Sequence, residues 1–354
     1  MKRIIEFFSS LLASLALLTL ATCDLSAAQD RKNIFGCSDD TLVNGPAFSA
    51  LMTFLPNHFT RIQANWPEIN PSPGVFNFTK APSCNDAIIA RADIQGRVIL
   101  FDVWGWPTWV QADWTNRYVH MGEYVSAVLR HWPQIKILGA WNEPSFDQGP
   151  ANVLVPGASY TNNASQLMAE YHQLVTAIYN AKQAVNPRVK LDIGKFNNFQ
   201  SYTPFMKYLK SLGTWTMGDY ITWHDANDQY LDPMIDHPLS ANISATPSVV
   251  HQVQWAQALF PGKLIGCDEH YSWGTQYCLE SAASYRAAGA AMLVEQYIPY
   301  PSPANGGTVS PIYGSTSDGQ LSDRSKRFIK ILTMPDDDFK KLWRHLQETH
   351  REKP

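Results

Sequence analysis

The sequence predicts an α/β fold, a single-domain (β/α)8 TIM barrel, from three observations. Short apolar strand-like runs alternate with amphipathic helical stretches from about residue 33 to about residue 333. Eight such strands are found, the number that closes a parallel barrel. No G-x-G-x-x-G follows the first strand, so nothing favours a dinucleotide-binding open sheet. The length of 354 residues accommodates a barrel of about 250 residues with insertions.

The predicted strands are short apolar runs bounded by turn-forming residues. In a barrel of this type, functional side chains collect where the strands end, at the C-terminal rim. The eight predicted strands are residues 33–37, 59–64, 98–103, 135–141, 189–194, 220–223, 263–268 and 290–295.

The predicted helices lie between these strands, at 118–131, 164–185, 203–212, 247–260 and 279–288. The first of them places apolar side chains among polar ones, namely Val119, Val125, Val128 and Leu129. A loop is expected at 300–319 and a closing helix at 323–334. The barrel domain is therefore assigned to residues 29–334. The charged tail, 335–354, is expected to form a surface helix, because three aspartates at 336–338 suit the start of one.

The N-terminal segment, residues 1–28, has the pattern of a signal peptide, which predicts a secreted protein. Lys2 and Arg3 precede an apolar stretch at 11–20, and small residues follow at 26–28. An alternative is a lipid anchor at Cys23, because Leu-Ala-Thr-Cys resembles a lipobox. The apolar stretch is too short for comfortable membrane spanning, so no transmembrane segment is predicted.

Composition excludes several classes of partner. The net charge of -3 offers no basic field for nucleic acid or anionic lipid. No H-E-x-x-H or C-x-x-C motif is present, so neither a metal nor a cofactor is predicted. Twelve tryptophans suit a carbohydrate partner, whose apolar C–H faces stack on indole rings, although tryptophans also fill protein cores. Composition leaves the oligomeric state open.

Four cysteines remain after cleavage at residue 28, and an even number permits two disulfides in an exported chain. Cys267 and Cys278 flank one loop and are expected to pair, which leaves Cys37 with Cys84. Spacing does not fix this pairing. Three N-x-S/T triplets suit a eukaryotic secretory route, at Asn77, Asn163 and Asn242.

The fourth predicted strand ends in the sequence A-W-N-E-P, which places Glu143 at the rim. A carboxyl group beside Trp141 would be partly shielded from water, which favours the protonated form that a proton donor needs. Asn142 is positioned to bind a sugar hydroxyl. Glu143 is therefore the candidate general acid.

The seventh predicted strand carries a second carboxyl group, Glu269, to the same rim. Two carboxylates about 5–5.5 Å apart across a glycosidic bond act by direct attack and a covalent intermediate. Asp268 and Glu269 face opposite sides if the strand continues regularly, so Glu269 is expected to point inward and Asp268 away. The alternative for the two glutamates is a salt-bridged role at the rim.

These motifs resemble clan A glycoside hydrolases, with families 39 and 5 nearest. The resemblance rests on W-N-E-P at 141–144 and on the glutamate that ends the seventh strand. It is supported by R-I-Q-A-N-W followed by P-S-P-G-V-F-N-F across 61–78. F-D-V-W-G-W-P-T-W at 101–109 and I-T-W-H at 221–224 match the clan's third and sixth strands.

The resemblance implies a retaining glycoside hydrolase that cleaves O-glycosidic bonds, β-linked ones above all. It implies Glu143 as acid/base, Glu269 as nucleophile and Asn142 as the residue that binds the 2-hydroxyl. Arg61 would support the nucleophile, and His224 would be the site histidine. Further substrate-binding candidates, which alternatively fill the core, are Trp66, Trp104, Trp106 and Trp273.

The sequence departs from the clan's pattern at three places. Ala226 stands where a tyrosine often supports the nucleophile, Asp268 precedes the nucleophile, and residues 290–296 contain no tryptophan. The alternative function is therefore a non-catalytic carbohydrate-binding barrel. The sequence leaves open the sugar, the linkage, internal or terminal cleavage, and hydrolysis or transglycosylation.

Overall fold

The structure, a computed structural model, describes the greater part of the predicted barrel and of the charged tail. Within the described residues it contains eight β-strands and nine α-helices. The described residues are 35–38, 59–94, 96–144, 154–155, 163–196, 199–225, 233–234, 236, 247–270, 278–295, 327, 330–331 and 333–351.

Parallel strands in chain order form the sheet, and the first strand also pairs with the last, which closes it. Every observed strand end lies within two residues of the predicted one. The prediction of an α/β barrel-like fold is confirmed. The segment between the first two strands lies outside the described residues, so the complete eightfold repeat stays a prediction. The strands are β1 Phe35–Ser38, β2 Phe59–Asn65, β3 Val98–Trp104, β4 Ile135–Ala140, β5 Lys190–Phe196, β6 Tyr220–Asp225, β7 Leu264–His270 and β8 Met292–Glu295.

Helices connect the strands, and they overlap all five interstrand helices that the sequence predicts. Three described helices between β2 and β4 were not predicted, at 66–69, 86–94 and 108–112. The predicted closing helix at 323–334 falls mostly outside the described residues. The helices are α1 Trp66–Ile69, α2 Asp86–Ile94, α3 Thr108–Ala112, α4 Arg117–His131, α5 Ala164–Val185, α6 Phe199–Ser211, α7 Val249–Leu259, α8 Cys278–Ala287 and α9 Asp336–Arg351.

Helix α4 shows how the outer layer packs. Its buried stripe includes Met121, Val125 and Val128, which recur at the spacing of one helix face and lie against α5. Val119, one of the apolar positions predicted for this helix, is 60% exposed. The reason is geometric, since residue 119 lies two positions before Met121, about 200° around the helix.

The tail helix α9 rests against α8 through one arginine. The guanidinium of Arg286 donates to the carbonyl oxygens of Ile331 and Met334, at 2.5 and 2.7 Å, and pairs with Asp336 at 2.9 Å. It also lies 4.3 Å from the ring centroid of Phe339. These contacts anchor the helix start. No helix among the described residues is long and apolar enough to cross a membrane.

The structure contains no disulfide among the residues it describes. Cys84 and Cys267 are both fully buried, and they pack as small apolar groups in the hydrophobic core. Their predicted partners are Cys37 and Cys278, whose side chains lie outside the described residues. The two predicted disulfides are therefore not confirmed.

Candidate active site

The chain leaves β4 through a strained turn that carries the predicted acid. Trp141 and Glu143 both adopt positive φ, at 70° and 47°, in the left-handed region that non-glycine residues rarely occupy. Trp141 is fully buried and packs on Trp106, with ring centroids 4.9 Å apart. Glu143 is 4% exposed. Strain of this kind persists where the surrounding packing enforces it, and it is concentrated at functional sites.

Glu143 is held by a histidine from β6. Nδ1 of His224 and Oε1 of Glu143 share a hydrogen bond of 2.8 Å, and His224 is fully buried. The strands β4 and β6 are separated by β5 in the sheet, so this contact crosses the end of the barrel. The structure thus brings together two of the residues that the sequence predicted for the site.

Asn142 is held by Arg61, as part of a chain of contacts from β2 to β4. Nη2 of Arg61 donates to Oδ1 of Asn142 at 2.6 Å, and Nε of Arg61 donates to Oδ2 of Asp102 at 2.6 Å. Gly139 makes room for this carboxylate, because a Cβ at position 139 would lie 1.9 Å from Oδ1 of Asp102. Arg61 therefore orients the asparagine beside the acid.

Asp268 points into the barrel, which corrects the prediction that it faces away. It is fully buried; its Oδ2 accepts from Nζ of Lys195 and lies 3.5 Å from Nε of Arg61. Its Oδ1 lies 3.6 Å from Nε2 of His224. The prediction assumed regular alternation along β7. The pairing of β7 is instead irregular: Trp223 pairs with Cys267, but the next β6 residue pairs with Glu269.

Lys195 lies among these buried charges, although the sequence did not predict it there. Its Nζ also lies 3.1 Å from Oδ1 of Asp102 and 3.7 Å from Oδ2 of Asp192. Burial lowers the pKa of Lys195, and burial raises the pKa of Asp192 to about 6 despite the nearby lysine and a bond from Thr222. The signal was present in the sequence, because an aspartate and a lysine interrupt the otherwise apolar run of β5.

The backbone of Glu269 lies beside the Glu143–His224 pair. Residues 224 and 269 are partners across β6 and β7, and paired strands lie about 4.8 Å apart. The side chain of Glu269 lies outside the described part of the chain, and so does the whole of Trp273. The predicted roles of both residues stay predictions.

Two of the predicted substrate-binding tryptophans are buried in the core. Trp66 is 0% and Trp106 is 1% exposed. Trp66 stacks on Tyr124 with ring centroids 4.8 Å apart, and its indole N–H donates to Asn70. Neither ring has a free face for a sugar, because the outer helices cover both. Trp104, at the end of β3, is half-buried, and its indole N–H has no hydrogen-bond partner among the described residues. Of the three, Trp104 is therefore the one that could still bind substrate as predicted.

No group of three or more histidine, cysteine, aspartate or glutamate side chains is arranged to hold a metal among the residues described. A cavity of about 810 Å³ lies on the outside of the barrel, lined by Phe76, Trp109 and Tyr118 among others. It contains none of the predicted site residues. Several segments at the C-terminal ends of the strands lie outside the described residues, including 145–153, 226–232 and 271–277.

No protein-family profile matches this sequence, and no curated protein matches it significantly. Solved structures do match. A GH10 xylanase from Bispora sp. MEY-1 with xylobiose has a TM-score of 0.57 at 15% identity, covering 86% of this chain and 98% of that chain. A GH39 enzyme from Xanthomonas axonopodis pv. citri has a TM-score of 0.56 at 15% identity, with 85% and 66% covered.

A glucosidase from Croceicoccus marinus also matches, with a TM-score of 0.56 at 13% identity and coverage of 85% and 67%. At these identities the likeness shows a shared fold. The resemblance to clan A glycoside hydrolases, and to family 39 among them, therefore holds at the level of the fold. The choice of site residues depends on the contacts around Glu143 and not on these neighbours.

Proposed function

We propose that this chain is a retaining glycoside hydrolase on a complete (β/α)8 TIM barrel, acting on β-linked poly- or oligosaccharides. One observation carries the proposal. Glu143 stands at the end of β4, hydrogen-bonded to His224, whose backbone partner on β7 is Glu269. The two predicted catalytic glutamates therefore belong to one end of the barrel, where enzymes of this fold place their chemistry. The glycosidases among the structural neighbours agree with this function.

The reaction proceeds in two displacements. Glu143 donates a proton to the glycosidic oxygen while the carboxylate of Glu269 attacks the anomeric carbon, so the bond to the leaving group breaks as the ester forms. Glu143, now ionised, takes a proton from water, which attacks the same carbon and releases Glu269. Asn142, oriented by Arg61, binds the 2-hydroxyl of the sugar. Metal and cofactor have no part in this scheme.

Asp268 is the other acidic residue of this strand end, and its surroundings argue against it as the nucleophile. Its side chain has no exposed surface, and Lys195 and Arg61 both contact its Oδ2. A nucleophile must reach the anomeric carbon of a bound sugar. Glu269, the next residue, is the candidate whose backbone lies beside His224.

The deciding experiment replaces each glutamate by glycine and adds azide. We expect Glu269→Gly to lose hydrolysis of an activated aryl β-glycoside and to regain turnover with azide, giving the α-glycosyl azide. Glu143→Gly is the matched variant, and it should give the β-glycosyl azide, because its nucleophile is intact. Azide should leave the wild-type product unchanged. Full hydrolysis by Glu269→Gly would refute the assignment.

The non-catalytic alternative makes a different prediction in the same assays. A binding module would leave every aryl glycoside and polysaccharide intact, in the wild type as in the variants. Polysaccharide in the gel would nevertheless slow the migration of the protein in affinity electrophoresis. Product analysis by mass spectrometry would separate hydrolysis from transglycosylation, because the latter yields longer oligosaccharides as well as shorter ones.

We further propose that the protein is secreted and that residues 1–28 are removed on export. The support is the sequence pattern of a basic start, an apolar stretch and small residues. N-terminal sequencing of the secreted protein should begin at Gln29. A blocked N-terminus at Cys23, with the mass of a lipid, would establish the membrane-anchored alternative instead.

A further inference from the structure

Five charged side chains fill the barrel interior next to the proposed site. They come from four different strands, and none has exposed surface. Burying charge is costly, and apolar side chains would fill the same volume at less cost in stability. A cluster of this kind therefore calls for a reason other than stability. Its members are Arg61 on β2, Asp102 on β3, Asp192 and Lys195 on β5, and Asp268 on β7.

Lys195 is central to the cluster. It pairs with all three carboxylates, whereas Arg61 pairs with Asp102 and Asp268. Removal of the lysine would leave three buried carboxyl groups facing one guanidinium. Removal of Arg61 would leave the same charge imbalance, but Lys195 pairs with one carboxylate more, Asp192.

The backbone is bent to bring the lysine there. Lys195 has φ of 51°, in the left-handed region, and the pairing between β5 and β6 is irregular between Gly194 and Phe196. An extra residue at such a bulge re-aims its side chain. The cost of a left-handed lysine is borne only where the surroundings enforce it. The bulge thus serves to aim Lys195 at its partners.

A matching irregularity occurs on β7, at the lysine's partner. The pairing of β7 is shifted around Asp268 on both sides, against β6 and against β8. Strand β6 lies between β5 and β7, so the Lys195–Asp268 ion pair connects two strands that do not pair with each other. The ion pair thus joins β5 and β7 at positions where each strand pairs irregularly with its neighbours.

We propose that Lys195 is a positioning residue, which holds the irregular end of β7 through Asp268 and so sets where Glu269 stands beside His224. The placement of β7 follows from the contacts alone. Its effect on catalysis rests on the proposed function, since that is what makes Glu269 the nucleophile.

Hydrogen–deuterium exchange of the full chain tests the placement without any substrate. In Lys195→Met we expect the amides of residues 268–270 to exchange about tenfold faster or more, while β2 and β3 keep their protection. Lys182→Met is the matched control. Lys182 is also buried, at 3% exposure, but it lies on the outer helix α5. Its replacement should leave β7 unchanged. Unchanged exchange at 268–270 in Lys195→Met would overturn the proposal.

A second variant, Asp268→Asn, keeps the shape of the partner and removes its charge, and it carries the test if Lys195→Met folds poorly. It should loosen the same amides. In the double variant the amides of residues 268–270 should exchange no faster than in the more affected single variant. The reason is that both changes break the same contact, between Lys195 and Asp268. Additive effects would show that the two residues act separately, against the proposal.

Kinetics on an aryl β-glycoside test the catalytic consequence. We expect kcat of Lys195→Met to fall about 10- to 100-fold with KM changed less than about threefold, as for a misplaced reacting group. Lys182→Met should retain wild-type kcat. If β7 loosens but the wild type hydrolyses no glycoside, the proposed function fails and the positioning stands. If β7 loosens and kcat is unchanged in an active enzyme, the catalytic part of the proposal is overturned.

Discussion

Nδ1 of His224 lies 2.8 Å from Oε1 of Glu143, and Nε2 of the same ring lies 3.6 Å from Oδ1 of Asp268. One imidazole therefore stands between the proposed acid/base and the buried charge cluster. Because both ring nitrogens face carboxylates, the orientation of the ring is set from both sides. In the proposed reaction Glu143 gives up one proton and takes one back in each cycle, and His224 is its hydrogen-bond partner in the structure.

Replacement of His224 should slow the reaction with little change in substrate affinity. We expect His224→Gln to lower kcat about 10- to 100-fold, because Glu143 loses the partner that orients it. The control is His172→Gln, since His172 lies on the outer helix α5 and bonds Thr214. Steady-state kinetics on an aryl glycoside measure both. Equal kcat for the two variants would remove His224 from the mechanism.

Replacement of Glu143 should affect substrates according to their leaving groups. We expect Glu143→Gln to lower kcat/KM about 10²- to 10⁴-fold on natural glycosides, which need protonation of the leaving oxygen. The loss should be much smaller for a dinitrophenyl glycoside, which leaves unaided. A series of aryl glycosides graded by the acidity of the phenol measures this dependence. The same loss across the series would contradict an acid role.

Gly139→Ala should disrupt the site by displacing the carboxylate of Asp102. A methyl group at position 139 would overlap the carboxylate of Asp102, 1.9 Å away, and so displace the partner of Arg61. We expect a loss of about 1–3 kcal/mol in the free energy of unfolding, as for other overpacked cores, together with reduced activity. Gly122→Ala on α4 is the control, since the nearest atom to a Cβ there lies 3.9 Å away. Urea unfolding measures both; equal stability of the two variants would contradict the contact.

The protonation of Asp192 should appear in the pH dependence of stability. Burial raises its pKa to about 6 in the folded state from an ordinary value of 3.8, so its contribution to stability is full below about pH 3.8 and is lost as pH rises through about 6. Asp192→Asn carries no such proton. The wild type should therefore lose roughly 2–3 kcal/mol relative to the variant between pH 4 and pH 7. Urea unfolding across this range checks the sign, and a constant difference would refute it.

Cys84 and Cys267 should resist alkylation in the folded protein, because both side chains are fully buried. Iodoacetamide added to the native protein should leave both unmodified, and unfolding in urea with reductant should expose both to the reagent. Peptide mass spectrometry locates the label. Labelling of either cysteine in the folded state would contradict its burial. The same unfolding without reductant tests the two predicted disulfides, because a paired cysteine is not alkylated.

Much of the barrel was predictable, because its strands are apolar runs of the right length separated by helical periodicity. The position of Glu143 and Asn142 at the end of β4 was predictable as well, since they directly follow a strand whose end was located to within one residue. The direction in which the side chain of Asp268 points was not predictable. A regular strand alternates its side chains, and the irregular pairing of β7 with its neighbours breaks that alternation. The two tryptophans, Trp66 and Trp106, could equally have been core or site, and their packing partners put them in the core.

Local pattern was thus sufficient for the order of the strands, for five of the helices between them and for a carboxyl group at the end of β4. Packing in three dimensions was needed for the charge cluster, because Lys195 and Asp268 are 73 residues apart and meet across an intervening strand. The direction of each of these side chains depends on a bulge, and a bulge depends on the register with neighbouring strands. Register is a relation between distant segments, so no single stretch of the chain contains it.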